Sequence, residues 1–313
     1  MGGSGLEVSR LGLGTMTWGD GTDVDGATAL LTAFVDAGGT LVETADGYGD
    51  GAAQEILAAV LATAVPREHV VIAGRGVSAP GPGDRPGPLG GGPARGALLA
   101  GLEATLRRLG TDHLDLWQLP AWDAEVPLDE TLSAVQVAVV SGRARYAGLV
   151  APRAWQLATA AERGRALGPV TVPVSAQVEY SLLTRDAETD LFPAAAHHGI
   201  GLLAWAPLGR GVLTGKYTDG TPADSRGASP SLAPYVEARR NERSARIVQA
   251  VLTAADGLGT SPLAVALAWV RDRPGVASAV VGPRDVAQLA ASVAAESVTL
   301  PLEIRAALDD VSR

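Results

Sequence analysis

Eight short apolar runs, separated by stretches with helical periodicity, restrict this chain more than any other feature. They fall at residues 11–14, 40–43, 70–75, 114–118, 145–149, 175–178, 201–204 and 278–281. Runs of this length read as strands rather than helices. The stretches between them are amphipathic. Residues 27–37 place Leu30, Leu31, Phe34 and Val35 on one face, with Asp25 as the expected N-cap. Residues 97–109 place Leu98, Leu102, Leu106 and Leu109 on one face and turn Arg107 and Arg108 outward. Eight strands, each followed by a helix, predict a closed parallel (β/α)8 TIM barrel of the α/β class. The rival is an open doubly wound sheet, which usually carries G-x-G-x-x-G after its first strand. No segment has that spacing in that context. The 313 residues suit a single barrel domain over 1–313, and neither an internal repeat nor a linker divides them.

The formal net charge of -9 argues against a nucleic-acid partner, because phosphate binding needs a basic face. With no cysteine there are neither disulfides nor thiolate metal sites, and no metal is expected. No run reaches the roughly 18 apolar residues of a membrane span, and the N-terminus lacks a signal pattern. The expectation is a soluble cytoplasmic protein with a small-molecule substrate; the sequence leaves its oligomeric state open. Lys216 is the only lysine, and the histidines are His69, His113, His197 and His198. Residues 78–95 and 217–235 are rich in Gly and Pro and read as long loops that follow strands. Such loops cover a substrate or are simply flexible surface.

Five strings, in order along the chain, carry a resemblance. They are Ser4–Met16 (SGLEVSRLGLGTM), Thr44-Ala45-Asp46-Gly47-Tyr48-Gly49, Leu106–Leu116 (LRRLGTDHLDL), Trp205–Gly211 (WAPLGRG), and Val280-Val281-Gly282-Pro283-Arg284 with Gln288-Leu289. Together they resemble the aldo-keto reductase superfamily over some 300 residues, and that family's fold is the barrel already expected from periodicity. The resemblance implies NADPH-dependent reduction of an aldehyde or ketone by four residues. A Tyr gives the proton, an Asp–Lys pair tunes its acidity, and a His helps orient the carbonyl.

At the matching positions the chain keeps Tyr48 but has Glu43 for the Asp, Arg75 for the Lys and Pro120 for the His. The tetrad is therefore altered. Glu43 and Arg75 preserve charge, so an ion pair beside Tyr48 is expected, with the cation lowering the tyrosine pKa. The same pair would serve equally as a salt bridge tying two strand ends together. Arg is not interchangeable with Lys at a tuned site, and Pro120 has no polar side-chain atom. All four histidines precede strands, at the opposite barrel end, and Lys216 lies well past the loop after the seventh strand. Neither an imidazole nor an ammonium is expected to stand in.

The resemblance further implies an NADP(H) site. Gln177 matches the carboxamide-binding residue and Trp205 the stacking aromatic, although a strand-end tryptophan can also be core. Ala206, Pro207, Leu208, Gly209, Arg210 and Gly211 match the pyrophosphate loop; Gly282, Arg284 and Gln288 match the adenosine end. Arg284 favours NADP over NAD. The family's Gly-x-Ser-Asn is Gly148-Leu149-Val150-Ala151, and its Glu-Asn is Ala291-Ser292, so the match is partial. Trp18 and Trp122 are expected to line an apolar substrate pocket, and Trp117 to be core. Three functions follow: an NADPH-dependent carbonyl or enone reductase; a barrel turned to dehydration, isomerisation or cyclisation; and a non-catalytic ligand-binding homologue.

Overall fold

A computed structural model of the protein describes residues 1–76, 94–120, 122–223, 225–230 and 232–313. Eight parallel strands close into a barrel in the order β1 to β8. They are β1 (Leu11–Gly14), β2 (Leu41–Ala45), β3 (Val71–Arg75), β4 (Leu114–Leu119), β5 (Ala144–Val150), β6 (Ser175–Glu179), β7 (Gly201–Trp205) and β8 (Val276–Val281). All eight expected runs are strands. Several extend one or two residues further, through Ala45, Glu179 and Trp205. Their ends are set by backbone pairing to the neighbour, as in Ala45 against Arg75 and Glu179 against Trp205, which side-chain apolarity does not report.

Side chains alternate between the lumen and the helical layer. Leu6, Leu41, Ala73, Leu116, Leu203 and Val280 form the inner cluster. On the outside, Leu13, Val42, Ile72 and Trp117 pack against helices α1 (Val24–Asp36), α2 (Ala52–Thr63), α3 (Arg95–Leu109) and α4 (Leu128–Val140). In α1, Leu30, Leu31 and Phe34 are buried as the pattern requires. Its cap is Asp23, not Asp25: Asp23 Oδ1 accepts from Gly26 N at 2.9 Å, and Asp25 lies in the first turn. The helix begins three residues before its first buried side chain, so apolar periodicity alone sets its start too late. In α3, Leu98, Leu102, Leu106 and Leu109 are buried while Arg107 and Arg108 are exposed. The other half of the barrel is covered by α5 (Ala154–Leu167), α6 (Leu191–His198), α8 (Glu242–Leu258), α9 (Pro262–Arg271), α10 (Val286–Ala294) and α11 (Leu302–Val311). No single helix among the described residues is long and apolar enough to cross a membrane.

Of the two expected loops, residues 78–93 lie outside the described residues, and Arg95 already opens α3. The 217–235 stretch holds a 3-10 turn (Arg226–Ala228) and runs into the short helix α7 (Ala233–Glu237). It is tied down by Gly227 N donating to Tyr217 Oη at 3.1 Å, and just beyond it Arg239 pairs with Glu179 at 2.8 Å.

Candidate functional site

At the C-terminal ends of β2 and β3 the chain brings Glu43, Tyr48 and Arg75 together. Glu43 lies on β2, Arg75 is the last residue of β3, and Tyr48 opens the 3-10 turn Tyr48–Gly51. The Tyr48 hydroxyl donates to the Glu43 carboxylate, with Oη 3.0 Å from Oε1 and 3.2 Å from Oε2. Arg75 Nη2 donates to Tyr48 Oη. The same nitrogen lies 3.3 Å from Glu43 Oε1, and the guanidinium carbon sits 5.2 Å from the Tyr48 ring centre. From across the lumen, Gln177 Nε2 reaches Glu43 Oε1 at 3.3 Å. Glu43 is only 3% exposed, so these donors are what keeps its charge tolerable there.

The expected lowering of the Tyr48 pKa does not occur; it is raised. Burial is the largest cause and the Glu43 carboxylate the next, and together they outweigh the opposing pull of Arg75. For Arg75, burial works against the charge, but Glu43 and Tyr48 outweigh it and raise its pKa. The cation is visible in the sequence; the desolvation exists only in the closed barrel.

Pro120 follows β4 directly, two positions beyond Gln118 and on the same side of the chain by the two-residue period. Trp18 does not line a pocket: it is fully buried within the outer core with Leu13, Ala27 and Leu57. The loop after β1 turns it back under the helices. Trp122 is half-buried and meets Trp155 edge-on, with centroids 5.2 Å apart and planes at 63°. Trp155, in the first turn of α5, is 55% exposed and was not expected near Trp122. Trp117 is core, as expected. His69 and His113 stand before β3 and β4, and His197 and His198 end α6 before β7, all at the far end of the barrel.

The second half of the site gathers at the ends of β7 and β8. Trp205 closes β7 and is half-buried. After it, Ala206, Pro207, Leu208, Gly209, Arg210 and Gly211 wind into a tight turn, with Gly209 N donating to Ala206 O at 2.8 Å and Gly211 N to Leu208 O at 3.0 Å. Ala206 (φ 52°) and Arg210 (φ 59°) are both left-handed, a conformation that costs non-glycine residues on the order of 1–3 kcal/mol each. The Arg210 guanidinium lies between two rings, 5.2 Å from Trp205 and 4.5 Å from Tyr235. Lys216 is not remote from this turn: a Cβ placed on Gly211 would fall 3.0 Å from Lys216 Cε.

Arg226, which the sequence reading did not select, donates to Gly282 O at 2.9 Å. Its pKa is lowered, first by burial and then by Arg284, with Arg210 adding to the effect. Arg226 thus feels two other guanidinium groups, and among the described residues none of the three forms an ion pair with a carboxylate. The signal available in the sequence was one arginine, between Ser225 and Gly227, in a Gly- and Pro-rich stretch. Gln288 is engaged locally: its Oε1 accepts from Arg284 N at 3.2 Å and its Nε2 donates to Asp285 Oδ2 at 3.0 Å.

A model of the Aldo/keto reductase family matches residues 10–313. The chain belongs to that family. Among its aldo/keto reductase relatives is "Uncharacterized oxidoreductase YrpG" of Bacillus subtilis (strain 168), 34% identical over 99% of this chain and 94% of the relative. A "Probable voltage-gated potassium channel subunit beta" of Arabidopsis thaliana is 32% identical over 100% of this chain and 94% of its own. The "L-glyceraldehyde 3-phosphate reductase" of Escherichia coli O157:H7 is 31% identical over 98% and 89%. Aldo/keto reductases are oxidoreductases that generally use NAD(P)H.

Proposed function

We propose that this aldo/keto reductase reduces a carbonyl or enone group of a small molecule with NADPH, and that Tyr48 gives the proton. The observation that carries the reading is the Tyr48 hydroxyl held between Glu43 and Arg75 at the barrel mouth. Two features support the cofactor. Gln177 Oε1 is buried without a partner and suits a carboxamide N–H. Arg210, Arg226 and Arg284, lacking ion pairs among the described residues, suit phosphate oxygens at the loops after β7 and β8. Arg226 and Arg284 favour NADP over NAD by accommodating the additional phosphate. The Trp205 ring offers a stacking face, and Gly282, whose carbonyl holds Arg226, borders the arginines.

NADPH, when bound, supplies the hydride. Tyr48 remains protonated across the ordinary pH range and gives its proton as negative charge builds on the substrate oxygen. Arg75 Nη2, already directed at Oη, stabilises the phenolate that results. Glu43 fixes Arg75, and it also competes for the Tyr48 proton in the resting site. Pro120 offers the substrate oxygen no hydrogen bond, so orientation falls to pocket shape, with Trp122 as the aromatic wall.

NADPH titration followed by tryptophan quenching tests the reading: saturation at micromolar concentration supports it, and absence of binding at millimolar NADPH or NADH overturns it. A second reading draws on the same Tyr48–Glu43 bond. A carboxylate that already holds a hydroxyl proton is placed to act as a base in nucleotide-free dehydration, isomerisation or cyclisation. Turnover of such a substrate without nucleotide would favour it, and ligand binding with no turnover would favour a non-catalytic role.

A further inference from the structure

We propose that Gln177 is a positioning residue that links the cofactor carboxamide to the proton donor through Glu43. The proposal rests on the NADPH reading above.

The orientation of the Gln177 amide follows from its neighbour. If Oε1 faced Glu43, two acceptors would repel each other; Nε2 faces it instead, at 3.3 Å. Oε1 is thereby directed away from Glu43, in a side chain 2% exposed, with no partner. An unpaired buried acceptor is costly, and an arriving carboxamide N–H is the kind of donor that removes the cost. On the other side, Glu43 Oε1 is approached by Tyr48 Oη at 3.0 Å, Arg75 Nη2 at 3.3 Å and Gln177 Nε2 at 3.3 Å. One carboxylate oxygen has about two good acceptor directions, so the three donors compete for Oε1, and Tyr48 is the one already shared with Oε2, at 3.2 Å.

A donor on Oε1 polarises the amide and makes Nε2–H a stronger donor, since linked hydrogen bonds strengthen one another. Gln177 then takes a larger share of Glu43 Oε1, and the hold on the Tyr48 proton weakens. The resting site keeps that proton on the Glu43 side; cofactor arrival frees it for the substrate. The charged groups that act on this assembly are Glu43, Arg75 and, on Arg75, Asp46. The length of residue 43 matters. An aspartate, shorter by one carbon–carbon bond, would draw back from Gln177 and Tyr48 together.

A double-mutant cycle on NADPH affinity tests the link, using wild type, Gln177→Met, Glu43→Asp and the double variant, with Gln177→Asn replacing Gln177→Met if the latter does not fold. Glu43→Asp is expected to weaken NADPH by about 5-fold or more in the wild-type background, and not at all once Gln177 is replaced. At saturating NADPH, kcat of Gln177→Met is expected to fall by about tenfold. Independent effects, in which the double variant loses the product of the two single losses, overturn the link, as does an unchanged kcat at saturation. Failure of the wild type to bind NADPH overturns the cofactor reading itself, and so is distinguishable from failure of the link.

Discussion

Arg75→Met removes the guanidinium that balances Glu43 while keeping much of the side-chain volume. Glu43 is 3% exposed and is left with two neutral donors, Tyr48 and Gln177. Breaking a buried pair by removing one partner typically costs about 3–5 kcal/mol. Removing Glu43 as well, in Arg75→Met with Glu43→Gln, takes away the charge that is left unpaired. Urea unfolding of wild type, single and double variants at pH 7 measures the effect. The expected deficit of Arg75→Met is about 3–5 kcal/mol, and adding Glu43→Gln should recover much of it. A deficit under about 1 kcal/mol, or no recovery in the double variant, would refute the claim that Arg75 neutralises a buried charge.

Tyr48→Phe should lower kcat by roughly 10²–10⁴-fold with little change in NADPH affinity; a larger effect on binding than on kcat would remove Tyr48 from the proton step. Arg226→Met should weaken NADPH by about 10–100-fold and NADH far less, as expected for one charge-assisted contact to a phosphate; equal losses would mean that Arg226 serves the turn and not the ligand. In a native alkaline titration Tyr48 and Tyr180 should ionise later than ordinary tyrosines, both being raised above 10.0 chiefly by burial. Their raised values favour folding below pH 10 and lose that contribution as pH climbs past it, so stability should fall there; tyrosinate absorbance reports the order of ionisation. Trp18→Ala should cost about 3–5 kcal/mol of stability, whereas Trp122→Ala should chiefly raise the KM for substrate.

The sequence determined the barrel. Strands buried on both faces must be written as short apolar runs, and amphipathic helices must recur between them, so eight runs in that rhythm leave few other folds. It also determined which residue types stand at the mouth: Glu43, Tyr48, Arg75 and Pro120 follow from their place within the matching strings. What it could not set was the balance of forces there. A cation beside a tyrosine suggests an acidified hydroxyl, but desolvation and the reach of Glu43 reverse the direction, and both depend on distances that exist only once β2, β3 and β6 share a lumen. The same holds for Arg226, Lys216 and Trp155. Arg226 meets Gly282 and Trp155 meets Trp122 across long stretches of chain, and Lys216 comes back on Gly211 only through the turn between them, so no periodic signal marks any of the three contacts. Trp18 is the converse: its position after β1 suggested a pocket wall, and only the turn of that loop put it in the core. Periodicity reports which face of an element is buried; which atoms finally meet is decided by strand register and loop closure.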